Sequence, residues 1–181
     1  MSAAAEATPR ATGDRGAVLV EFALVMPILV MLIFGLVSAG MAWNQNLSLS
    51  SAARAGARYA ATLPTSTTGT TMDDYLAAVT QRVIDSSEGN LASSVTSRVI
   101  CVAYWHPSGT DTLDQNRART LTNTTVSTSS TTPCFTDNQG SDDKRIQVSV
   151  QRTGTIQTGL WTQTVTMTQK VVFRYEVTSG L

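Results

Sequence analysis

The stretch RGAVLVEFALVMPILVMLIFGLVSAGMAW, residues 15–43, holds one ionisable side chain after Arg15, that of Glu21, and no charged residue occurs from Phe22 to Ala53. A hydrocarbon core is crossed by roughly 20 apolar residues in a helix, so this segment is long enough to span a bilayer. A cleaved secretory signal would find small residues at Gly40-Met41-Ala42. Its apolar core would then exceed the roughly 7 to 15 residues of such signals and would contain an acid near its start. A retained anchor is the better reading. Helical composition continues past the apolar run through Asn44-Gln45-Asn46 to Ala60-Ala61, with Pro64 as the expected break. A helix over 17–62 would measure roughly 70 Å at 1.5 Å per residue, so its far part is expected to project from the membrane as a stalk.

On that far part Ala52, Gly56 and Ala60 recur every four residues, and Ala53, Ala57 and Ala61 form a second row. Small side chains at this spacing let helices pack closely, although alanine is also the best helix former. Arg54 and Arg58 form a solvated or headgroup-facing edge. Working outward towards the N-terminus, residues 1–16 are rich in Ala, Thr, Gly and Pro and lack apolar periodicity, which reads as a flexible leader.

The remaining residues suit one extracytoplasmic head, 63–181, of α+β class. Met72, Leu76, Val79 and Val83 share one face of an expected helix over 72–85, with Asp73 and Asp74 at its positive end. From Val99 to Trp105 the period falls to two, with Ile100, Val102 and Tyr104 on one side and Val99, Cys101, Ala103 and Trp105 on the other. Further strands are expected around Ile146, Val148 and Val150 and from Val165 to Val177, making a small antiparallel sheet packed on the second helix. Between them 106–143 reads as a long polar loop, with ten Ser or Thr among the thirteen residues from Thr120 to Thr132. Cys101 and Cys134 both follow the span. An even count in an exported segment reads as one disulfide, with two buried free thiols as the plain alternative.

Composition excludes several function classes. The formal net charge is +0 and charged residues are 14% of the chain, which gives no electrostatic footprint for nucleic acid. Catalysis finds little support: the single histidine, His106, precedes Pro107, and neither a Gly-x-Ser-x-Gly elbow nor a phosphate loop occurs. No cofactor or metal is expected. Two thiols and one histidine lack metal-site spacing, and the acidic stretch Asp137-Asn138-Gln139-Gly140-Ser141-Asp142-Asp143 lacks that of an EF-hand.

The informative constellation is Gly16-Ala17 followed by Glu21, Phe22 and Pro27. If the chain is cut after Gly16, Glu21 becomes the fifth residue, about 6 Å along the helix from the new amino terminus. A charge in a membrane span is costly, up to about 2.5 to 3.5 kcal/mol at a helix centre. The new α-amino group, its own or a neighbour's, is a natural partner. Pro27 removes one backbone hydrogen bond and loosens the helix locally.

The motif Arg-Gly-Ala-x-x-x-Glu-Phe-Ala-Leu-x-x-Pro over 15–27, with Ala52-Ala53-Arg54-Ala55-Gly56-Ala57-Arg58-Tyr59-Ala60-Ala61 after the span, resembles the TadE-like pseudopilins of Tad (tight adherence) loci. The ending Val172-Phe173-Arg174-Tyr175-Glu176 is similar to that family's last strand. The resemblance implies a prepilin peptidase site at Gly16 and Ala17, recognition and assembly through Glu21, and a single-pass anchor with cytoplasmic N-terminus. It implies a minor pilin or pseudopilin of a Flp-type filament, residing in the cell membrane or entering a surface pilus. Partners would be other Tad minor pilins, the major Flp pilin, the prepilin peptidase, the inner-membrane assembly platform and membrane lipid. Phe22 after the glutamate differs from the tyrosine typical of the much shorter major Flp pilins. The alternative from another class is a single-span receptor or adhesin whose head binds a ligand.

Overall fold

The computed structural model describes residues 14–63, 71–106, 116–140, 143–157 and 161–175. Most of the expected leader, Pro64 and the stretches 107–115 and 141–142 of the expected loop lie outside them. The elements are α1 (Asp14–Thr62), α2 (Met72–Asp85), β1 (Arg98–Trp105), β2 (Arg117–Thr122), β3 (Thr125–Ser129), β4 (Arg145–Gln157) and β5 (Thr162–Arg174). The five strands form one antiparallel sheet in the order β3-β2-β1-β4-β5. The class is α+β, as the sequence leads one to expect.

α2 begins where its sequence says it should. Thr71 caps it: the hydroxyl accepts from the Asp74 amide at 3.2 Å while the Asp74 carboxylate accepts from the Thr71 amide at 3.0 Å, which satisfies two orphan donors reciprocally. The Thr71 hydroxyl and amide together hold the Asp74 carboxyl below its usual range. Leu76, Val79 and Val83 are fully buried, with Tyr75 beside them.

The sheet turns Ile100, Val102, Tyr104, Ile146, Val148 and Val150 towards the helices, all fully buried. Its other face is covered locally by a crossing segment. Cys134 is bonded to Cys101, with Cα atoms 5.7 Å apart. Gln147, only 1% exposed, staples the same segment: its amide nitrogen donates to the Phe135 carbonyl at 3.0 Å and to Asp137 at 2.6 Å, and its oxygen accepts from the Cys134 amide at 3.1 Å. Buried Arg145 pairs with Asp137 at 3.0 Å and donates to the Gly140 carbonyl at 2.6 Å. These bonds explain how a polar stretch is fixed with few apolar residues.

Two expectations need correction. The segment 106–143 is not one long loop: its Thr/Ser-rich part contains the β2–β3 hairpin, turning through Asn123 at φ 55°. Threonine is β-branched and suits a strand, Thr122 pairs with Thr125, and asparagine tolerates the positive φ of a two-residue turn. Second, the far part of α1 is not a stalk standing clear of the head. Leu49, Ala52, Ala53, Ala57 and Ala60 are fully buried, and β4, β5 and α2 all pack on α1. The sheet therefore rests on two helices, α1 over β4 and β5 and α2 over β1 and β2.

Candidate functional site

α1 is one uninterrupted helix with two environments. From Val18 to Met41 its large apolar side chains are exposed, Phe22 at 59% and Leu36 at 74%, and none of its most apolar stretch is buried by the rest of the molecule. Among the described residues none covers these side chains except at the far end, where Phe34, Val37 and Met41 line a cleft beside β4 and β5, and water does not tolerate a contiguous apolar cylinder of this length. A bilayer or another apolar helix must cover it.

The predicted site residues divide along the same line. Gly16, Ala17, Glu21, Phe22 and Pro27 all lie in the exposed part of α1. A Cβ at Gly16 would meet nothing within 4 Å, so the fold does not need glycine there. Glycine within a helix costs about 1 kcal/mol relative to alanine. Packing therefore does not call for glycine at this position, as it does not at Gly35 or Gly40 on the same helix. Glu21 is exposed and lies one helical turn from Ala17, on the same side. Pro27 is accommodated inside the continuous helix.

Ala52, Gly56 and Ala60 behave differently. The structure buries them within the head, where a Cβ on Gly56 would fall 2.2 Å from Cγ2 of Val83 on α2. This row serves close packing of α1 on α2 in the same chain. Around it, Ser48 donates to the Ser87 carbonyl at 2.9 Å and accepts from Asn90 at 3.0 Å. At the other end the Tyr75 hydroxyl donates to the Ala60 carbonyl at 2.7 Å and that of Tyr175 to the Leu63 carbonyl at 3.0 Å. Helix ends leave carbonyls without intrahelical donors, and these phenols serve them. Burial pushes the Tyr75 hydroxyl well above its ordinary range, with Tyr175 and Tyr104 adding to it, so it remains a donor. Tyr175 also packs edge-on against Tyr104, centroids 5.3 Å apart. Sequence reasoning missed this clamp. The signal available was Tyr75 in α2, Tyr104 in β1 and Tyr175 just after β5, all in one core.

Asp73 and Arg117 tie α2 to β2 through two bonds of 2.9 and 2.7 Å, and the Asp73 carboxylate raises the guanidinium further above its already high range. Asp137 pairs with Arg145, and Asp143 with Arg174 at 3.4 Å. The described acids of the stretch 137–143 are thus engaged with cations of their own chain.

Taken together, the geometry defines a protein in which one helix supplies both a candidate membrane span and one of the two packing helices of an α+β head. Residues 16–58 match the family model described as TadE-like protein. That segment is TadE-like, as its motifs lead one to expect. No curated protein and no solved structure matches the chain.

Proposed function

We propose that the chain is a minor pilin or pseudopilin of a Tad-type pilus or secretion system, made with a leader that a prepilin peptidase removes between Gly16 and Ala17. The observation that carries this reading is the pairing of a glycine the fold does not require with an exposed acid one turn beyond the expected cut. The TadE-like match, which begins at Gly16, supports it. Cleavage creates a cation at Ala17, and only then does the single acid of the apolar rod gain a partner close by. A pair formed between neighbouring subunits would set the register of adjacent helices, because misplacing a charge in an apolar medium costs several kcal/mol. Pro27 supplies a point at which the rod adjusts. The head lies outside the cytoplasm, where its disulfide persists. The function needs no active site: the residues are a substrate for the peptidase and a contact for assembly.

The test is co-assembly. Glu21→Ala inserts normally, since removing a charge eases insertion, but fails to co-purify with pilin partners. Glu21→Gln behaves like the alanine variant, because charge rather than hydrogen bonding is what the new amino group reads. Wild-type co-assembly by Glu21→Gln would refute the ionic role.

A further inference from the structure

We infer that the ribbon formed by the ends of β4 and β5 is a second membrane contact, seated in the outer interfacial layer of the bilayer beside α1. β1 pairs with β4 only as far as Arg152. Beyond it five pairs, from Thr153 with Thr166 to Gln157 with Thr162, continue as a two-stranded ribbon, about 14 Å long at 3.4 Å per residue. Such a ribbon is marginal in water without a covering surface. Here it runs back along the helix towards the apolar rod. Gln169 donates to Asn46 at 2.8 Å and Gly154 lies beside Gln45. Lower down, Ile156, Val165 and Met167 face Phe34, Val37 and Met41 across a cleft of about 380 Å³.

The level of that cleft identifies what lies next to it. About 20 helical residues span the hydrocarbon, so a span beginning at Ala17 ends near Leu36, and the cleft straddles the outer boundary. The ribbon's composition fits that level. All seventeen residues from Thr153 to Gln169 are uncharged, between Arg152 and Lys170, although β5 is an edge strand, where charges normally guard against pairing. Trp161, at the end of the ribbon, and Trp43, on α1, are each 67% exposed. Tryptophan favours the membrane–water interface. An open strand edge cannot enter the hydrocarbon itself, so the ribbon sits among headgroups and the first acyl carbons, where water still reaches its backbone. The head is then held at two points, which fixes its tilt about the rod. This inference needs α1 to span the bilayer and is independent of leader cleavage.

Depth-dependent quenching tests it. The full chain is reconstituted in phosphatidylcholine–phosphatidylglycerol vesicles carrying lipids brominated near the headgroup or deep in the chain. The Trp161 emission is taken as the difference between the native chain and Trp161→Phe, and the Trp43 emission likewise from Trp43→Phe. The expected result is loss of most Trp161 emission with shallow bromines and a smaller loss with deep ones, unchanged in Gly16→Val, which keeps its leader. Quenching of Trp43 without quenching of Trp161 would overturn the ribbon contact and leave the anchor standing, whereas quenching of neither would overturn both.

Discussion

The two halves of α1 invert the usual relation between hydrophobicity and burial. Residues 18–41 carry Leu, Ile, Val, Met and Phe and are exposed, while 48–61 carry mainly Ala, Ser and Gly and include the most deeply buried positions of the helix. The distal half is buried because small side chains let α2 and the sheet approach the helix backbone. The proximal half is too apolar to stand in water, and among the described residues only its far end, at Phe34, Val37 and Met41, faces the sheet, across a cleft. One continuous helix therefore couples an apolar rod to a folded head. The helix runs unbroken from rod to head, with Pro27 inside the rod as the point where one backbone hydrogen bond is missing.

Truncation should separate the halves most sharply. Leu49→Ala removes a fully buried side chain and should destabilise the head by roughly 2 to 5 kcal/mol. Leu32→Ala, on a 63% exposed side chain, should leave it within about 0.5 kcal/mol of wild type. Denaturant unfolding followed by head tyrosine fluorescence or hydrogen exchange makes the comparison, and equal effects would break the division drawn here.

A smaller contrast comes from adding a single methyl group. Gly56→Ala puts a Cβ against Val83 and should cost about 1 to 3 kcal/mol, lessened by alanine's better helix propensity. Gly35→Ala meets nothing within 4 Å, so the same substitution on the rod should be neutral or slightly favourable to the helix. If both behave alike, α1 and α2 are not in close contact.

The mildest expected effect concerns the cap that starts α2. Asp74 has a folded pKa below its ordinary value because Thr71 donates to its carboxylate. Its contribution is therefore present above the unfolded carboxylate range and is lost as pH falls through the lowered folded value. Thr71→Ala should cost about 1 kcal/mol and should remove that part of the acid-side slope in a pH series of unfolding midpoints. An unchanged slope would mean that other carboxylates set it.

Much of this architecture was legible in residue order. The apolar run, the 3.6 period of α2, the alternation in β1, β4 and β5 and the even cysteine pair each gave an element or a link. β2 and β3 were not legible, because β3 at the sheet's edge is mostly exposed, β2 beside it buries only Ala118, and Thr and Ser give no apolar alternation to read. The place of the distal helix was hidden for a related reason: Ala52, Ala53 and Ala57 are as consistent with an exposed helix former as with a tightly packed core. Gly16 and Glu21 were visible as a spacing, and the structure adds that the fold itself does not call for that glycine.

The central claim is that Gly16-Ala17 is cut and that the cut equips Glu21 with its partner. Mass spectrometry of the mature protein, isolated from a host with an active prepilin peptidase, reads it directly. The account predicts an N-terminus at Ala17 in the native chain and a retained leader in Gly16→Val. A native mature chain that still begins before Gly16 would contradict it and favour a single-span receptor whose anchor is passive.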